Sequence, residues 1–356
     1  MVIVLFMRVL VSGVCGFVGS ELALGLRSAG YEVCGFDNFS RPGSERNRPR
    51  IEAAGIEFWR GDVRQEEDLA RVKGIDWVID AAANPSVLAG VDGKTGSKEL
   101  LEHNLWGTVN LLEVCKREQA GMILLSTSRV YSIDALCALP VVSKDGAFVL
   151  PESLAAVGPR GVAEGFSTAA PVSLYGASKL ASEQIALEYG SAFGFPVWVN
   201  RCGVMAGAGQ FGKPDQGIFS YWIHSWAQRA PLKYIGFGGT GHQVRDCFHP
   251  NDLLALLVKQ MDAGARAGRR IFNVSGGAAS ARSLRQLSDW CGREFGPHEV
   301  AVDLSPRPFD LPWVVLDAAC AGQEWDWRPE KTVDEICREI AGHAREHPEW
   351  LEVSRG

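Results

Sequence analysis

The sequence predicts an α/β protein: a doubly wound parallel sheet with a smaller C-terminal α/β cap. Three observations carry that expectation. A glycine turn, Gly13-Val-Cys-Gly16-Phe-Val-Gly19, lies between an apolar run and an amphipathic stretch, the strand–loop–helix order in which such glycines gain meaning. Short apolar runs then alternate with segments of helical period, as a parallel sheet wrapped by helices requires. Lastly, Tyr175 and Lys179 fall four apart in segment 171–193, whose apolar residues recur at helical spacing. That spacing puts both on one helix face.

The 356 residues suffice for one large domain with an appendage. Residues 1–201 are assigned mainly to the nucleotide-binding part, including the helix of Tyr175 and an insertion at about 132–172. Residues 202–356 are assigned mainly to the cap, with about 245–275 returning to the sheet. At 46% hydrophobic and 22% charged residues the composition is that of a globular protein. The net charge of −6 argues against a nucleic-acid or membrane partner. Nine cysteines without a Cys-x-x-Cys and seven histidines without a zinc spacing give no metal site. They point to free thiols in a reducing cytoplasm. No internal repeat, low-complexity tract or membrane-length apolar run is present.

Element by element, residues 1–11 are apolar apart from Arg8. They read as a buried first strand rather than a signal peptide, because they run straight into the glycine turn. Gly13 and Gly16, with Cys15, Phe17 and Val18 between and after them, form a turn where backbone can approach a pyrophosphate at a helix N-terminus. The next strand, 31–36, ends at Asp37. A carboxylate there accepts hydrogen bonds from a ribose diol, which favours NAD over NADP. Asn38 and Ser40 share that turn, and Arg41 is the counter-signal, since an arginine can meet a 2′-phosphate. A third strand, 56–60, leads into Asp62 and Val63, with Asp62 placed to meet an adenine. The run 77–83 ends in Ala81, Ala82 and Ala83, small enough for close approach to the cofactor, and Pro85 follows. Segment 98–116 reads as a helix containing Asn104, and 122–126 as a strand delivering Ser126, Thr127, Ser128 and Arg129.

Beside Tyr175, the Lys179 ammonium should favour the phenolate and pull the phenol below its usual value of about 10. A tyrosine tuned that way is a base near neutral pH. Segment 132–172 is rich in Pro and Gly, and reads as a lid or hairpin over the ligand, or as a surface insertion or oligomer contact.

Taken in order, Gly13/Gly16/Gly19, Asp37, Asp62, Ala81–Ala83, Asn104, Thr127 and Tyr175/Lys179 resemble the extended short-chain dehydrogenase/reductase family. Two stretches, 37–47 and 236–246, are most similar to its nucleotide-sugar epimerases, in particular the CDP-paratose (CDP-tyvelose) 2-epimerase group. The resemblance implies NAD as cofactor, a nucleotide-diphosphate sugar as substrate, and Thr127, Tyr175 and Lys179 as the catalytic set. It assigns Ser126 and Arg201 to the cofactor site, and Pro85, Thr127, Ser128, Arg129, Gly203, Gln210, Gln243, Arg245 and Arg307 to the substrate site. Arg245 leads as the diphosphate ligand, since a guanidinium fork fits phosphate, with Arg307 second. Dehydratases of the family follow the catalytic Thr with Asp-Glu; here Ser128-Arg129 stand there, which favours epimerisation. A dehydratase or reductase, and a non-catalytic NAD-binding scaffold, remain the alternatives. A homodimer or homotetramer built on 98–116 and 174–193 is implied by the same resemblance.

Overall fold

The computed structural model describes residues 7–355; residues 1–6, read above as part of the first strand, lie outside the described residues. The first strand is Arg8–Ser12 (β1), followed by Glu32–Asp37 (β2), Glu57–Arg60 (β3), Trp77–Asp80 (β4) and Gly121–Thr127 (β5). With Val197–Cys202 and Ile271–Val274 they form one parallel sheet. Its order is Ile271–Val274, Val197–Cys202, β5, β4, β1, β2, β3. The strand order reverses between β1 and β4, and ligands of such sheets bind at the carboxyl ends beside that reversal.

Both faces are covered. Leu22, Ala23 and Leu26 of helix Phe17–Ser28 (α1) meet Leu253, Leu256 and Leu257 of helix Pro250–Ala263 on one face. Leu111, Leu112 and Cys115, together with Ala186 of helix Ser173–Phe193, cover the other. Each strand buried on two sides therefore reads as a continuous apolar run rather than an alternating one. The helix expected at 98–116 is Ser97–Leu101 and Gly107–Glu118, joined by a π-helical turn at Glu102–Trp106. Such turns mark local strain, often at functional places.

The return of 245–275 to the sheet is partial. Helix Pro250–Ala263 and strand Ile271–Val274 do return. Strand Val244–Phe248 instead belongs to a small mixed sheet with Val204–Met205, Ala281–Ser283 and Trp313–Val314. His249 caps the start of helix Pro250–Ala263, its ring accepting the Asn251 N–H at 3.1 Å. Helices Leu284–Phe295 and Val333–Glu346 open with reciprocal capping boxes at Ser283/Gln286 and Thr332/Glu335. No described helix is long and apolar enough to cross a membrane.

The insertion is ordered. It holds helix Ile133–Cys137 and two small hairpins, Val142–Lys144 with Ala147–Val149 and Val157–Gly158 with Gly161–Val162. Phe148 N–H donates to the His242 carbonyl at 2.8 Å, and Val162 N–H to that of Val315 at 2.7 Å. Asn273, at the sheet edge, donates to the Val162 carbonyl at 2.8 Å. The insertion is a strap joining sheet to cap.

Candidate active site

At the carboxyl ends of β1, β4 and β5 lies a cavity of about 370 Å³, in the range of small-molecule sites. The site builds from the glycine turn. Gly13 adopts φ +62°, and a Cβ on Gly19 would lie 2.1 Å from the Gly13 carbonyl oxygen. Larger residues at these places would push α1 away from the turn. Asp37, at the end of β2, accepts the Cys15 N–H at 3.0 Å and the Phe39 N–H at 2.8 Å. Burial pushes its carboxyl up, and those backbone bonds oppose the rise. Ser12 accepts the N–H groups of Ala81 and Ala82, each at 3.0 Å, and so fixes the end of β4. A bare turn at a helix start, a carboxylate on the next strand and a small-residue strand end fit a dinucleotide.

Above this floor, Thr127 ends β5 and its hydroxyl lies close enough to the Tyr175 phenol to favour the phenolate. Lys179 lies one turn along the same helix, 2% exposed; among the described residues its ammonium makes no hydrogen bond and it lines the cavity. Contrary to expectation, the Tyr175 phenol is raised rather than lowered. Burial is the largest cause; the Thr127 hydroxyl and the Arg129 guanidinium pull the other way. The cation beside the phenol that opposes its burial is therefore Arg129, which the sequence reading had assigned only to substrate.

Eighteen expected residues line the cavity: Gly16, Phe17, Val18, Arg41, Ala81, Ala83, Pro85, Ser126, Thr127, Ser128, Arg129, Tyr175, Lys179, Gly203, Gln210, Gln243, Arg245 and Arg307. No residue of 132–172 lines it. Gly13, Cys15, Asp37 and Ala82 stand just behind the wall as its backbone support. Asn38 bonds Asp62 at 2.9 Å and accepts the Ser40 N–H at 2.8 Å, so Ser40 shapes the turn.

Four residues expected at the cofactor are engaged elsewhere in the fold. The Asp62 carboxylate, expected at the adenine, is held by Arg64 at 2.7 Å and by Asn38, which keep it well below the usual carboxylate range. Val63 is a core residue whose side chain packs against Gly107. Asn104 is 1% exposed and braces the loop after β4, accepting the Asn84 N–H at 2.8 Å and donating to its carbonyl at 3.0 Å. Arg201 lies beneath the site, paired with the fully buried Glu183 at 2.7 Å. Glu183 also accepts the Ser126 hydroxyl.

Some participants went unread. Arg41 reaches the cap loop, donating to Gln216 at 2.7 Å and to the Phe211 carbonyl. Ser86 donates to Asp215 at 2.6 Å, and Arg307 to the Pro214 carbonyl at 2.7 Å. Loop 209–217 is thus clasped from three sides. Arg245 pairs with Asp310 at 3.0 Å rather than with the adjacent Asp246. Asp246 instead accepts the Leu316 N–H at 2.8 Å. Glu183 was open to inference, being four residues after Lys179 on the same helix face; the Asp215 and Gln216 contacts span too much sequence to infer.

The profile of the NAD dependent epimerase/dehydratase family matches residues 9–275. CDP-paratose 2-epimerase of Salmonella typhi is 29% identical over 341 residues, 91% of this chain and 95% of that one. UDP-glucuronate 4-epimerase 1 of Arabidopsis thaliana is 30% identical over 268 residues, 73% of this chain and 56% of that one. Among solved structures, UDP-glucose 4-epimerase from Bifidobacterium longum in complex with NAD+ and UDP superposes with a TM-score of 0.75. It shares 24% identity and covers 97% of this chain and 100% of that one, a likeness of fold.

Proposed function

The chain belongs to the NAD dependent epimerase/dehydratase family, and from that premise we propose that it epimerises a nucleotide-diphosphate sugar through a transient keto sugar. Within that class we read the substrate as a CDP-hexose of the paratose or tyvelose type. The observation that carries the reading is one cavity lined by Thr127, Tyr175 and Lys179, with Lys179 one turn along the helix from Tyr175, that continues to Arg245 and Arg307. Bound NAD+ supplies the hydride acceptor and afterwards the donor. Tyr175 takes the proton of the sugar hydroxyl and later returns it. Thr127 orients the oxygen, and the Arg129 guanidinium offsets part of the cost of the phenol's ionisation.

Ser128 and Arg129 stand where elimination would need an acid and a base, which favours the epimerase over a dehydratase. Arg41 is committed to loop 209–217, so Asp37 is left to set the preference for NAD. A scaffold protein would need neither the base nor its hydroxyl partner. Nine unpaired cysteines fit a cytoplasmic setting. A homodimer fits the exposed Leu101, Trp106 and Phe193 on the helices expected to pair.

The test is incubation with CDP-, UDP-, GDP- and dTDP-sugars and catalytic NAD, read by NMR. A new epimer without net NADH is expected. Net consumption of reduced cofactor would identify a reductase, and loss of water by mass a dehydratase.

A further inference from the structure

Arg129 stands at a junction. Its backbone N–H donates to the Thr127 hydroxyl at 3.2 Å, and its carbonyl oxygen packs against Gly176, the residue after Tyr175, where a Cβ would lie 2.3 Å away. Its guanidinium donates to the Phe309 carbonyl at 3.0 Å. The next residue, Asp310, holds Arg245, and Arg307 opens the same turn. The tyrosine that moves the proton and the arginines suited to a diphosphate are therefore contiguous, on one cavity wall.

Among the described residues Arg129 makes no ion pair. The nearby carboxylate, Asp310, is already bound by Arg245, and burial together with the positive neighbours Arg245 and Arg307 works against the Arg129 charge. A part-buried guanidinium in that setting favours an anionic ligand, and its fork of N–H donors suits phosphate.

The chemistry of a sugar diphosphate then restricts the pose. The β-phosphate is joined to C1 through one oxygen. C2 is the neighbouring carbon, while C4 lies across the ring. A phosphate held beside Tyr175 brings C2 to the base and leaves C4 remote. Resting on the epimerase reading above, we propose that Arg129 is a specificity-determining residue: it binds the β-phosphate next to Tyr175 and so presents the C2 hydroxyl for proton removal.

Two measurements test this. In titration calorimetry with NAD present, Arg129→Ser should weaken CDP binding by about tenfold or more, the size of a lost charge-assisted hydrogen bond. CMP, which has no β-phosphate, should change by less than about twofold. Arg129→Lys should recover part of the CDP affinity. Arg129→Gln replaces the serine variant if circular dichroism finds that one unfolded. CDP affinity unchanged in the variant, or CDP and CMP weakened alike, would overturn the proposal. Second, a CDP-hexose deuterated at C2 should turn over more slowly with the wild type, and one deuterated at C4 should not. Slowing by the C4 label would overturn the proposal and leave the epimerase reading standing. Failure to epimerise any nucleotide sugar would remove that reading, while the calorimetry would still decide whether Arg129 binds the β-phosphate.

Discussion

Tyr175 has one polar neighbour that matters to its proton, Thr127, and one nearby charge that eases its ionisation, Arg129. Replacing Tyr175 by Phe removes the acid–base group and leaves the packing intact, so turnover should fall by about a hundredfold or more while NAD binding persists. Steady-state rates and a cofactor titration on the same variant check both halves. Because burial raises the phenol, turnover should climb with pH as it ionises, and Arg129→Gln should move that rise to higher pH. Arg245 should matter differently. Its Nη2 is 3.0 Å from Asp310 and its Nη1 is 2.9 Å from the Leu311 carbonyl, which aim the group before any ligand arrives. Arg245→Ala should weaken nucleoside-diphosphate binding by about tenfold to a hundredfold, with Arg245→Lys between and NAD affinity unchanged, as calorimetry can show. The catalytic helix pair was legible because a four-residue spacing fixes a shared face. The partner of Arg245 was not, because Asp310 is brought to it by a turn far along the chain.

The elements that carry these residues are held together from below. Glu183 is fully buried on the catalytic helix and meets Arg201 on the neighbouring strand Val197–Cys202. Tyr131 adds a ring face at 5.2 Å from the guanidinium. Removing one partner of such a pair strands the other charge, so Glu183→Ala should cost about 3–5 kcal/mol in denaturant unfolding. Glu183→Gln should cost less, because the amide oxygen still accepts from Arg201. The family resemblance implies Arg201 at the cofactor, but Arg201 instead pairs with Glu183 beneath the site. Alternation along its strand decides which way a side chain points, and with both faces buried the apolar pattern carries no such information. The glycine turn, by contrast, was readable residue by residue, since only glycine tolerates the Gly13 φ and the approach at Gly19. The insertion was not legible as a strap, because its partners Val315, His242 and Asn273 lie in three separate segments.

At the scale of the whole molecule, acid should act on the cap before the sheet. His224 is buried against His343, with 3.1 Å between ring nitrogens, and burial pushes His224 down to about 4. Its unfolded value is about 6.5. Between those values the unfolded chain binds a proton that the folded one refuses. Stability is therefore full above about 6.5 and declines as the pH falls toward about 4, at up to about 1.4 kcal/mol per pH unit. His343 shifts in the same direction for the same reason. Melting curves across that window should show the decline, and His224→Gln should flatten it. Assembly is checked the same way: Trp106→Glu, at a residue 55% exposed, should turn a dimer by light scattering into a monomer without lowering its melting temperature by more than a few degrees.

The strap also sets the mechanics of the cleft. A two-part enzyme can admit its ligands by swinging one half away from the other about a hinge. Here the hairpins of 132–172 are stitched to the cap at Val315 and His242 and to the sheet edge at Asn273, which resists that swing. Traffic is then left to loop 209–217, whose fastenings at Arg41, Ser86 and Arg307 are individually small enough to break and remake. Entry becomes a matter of unlatching a door in a fixed frame, and amide exchange in that loop should respond to ligand while the strap stays silent.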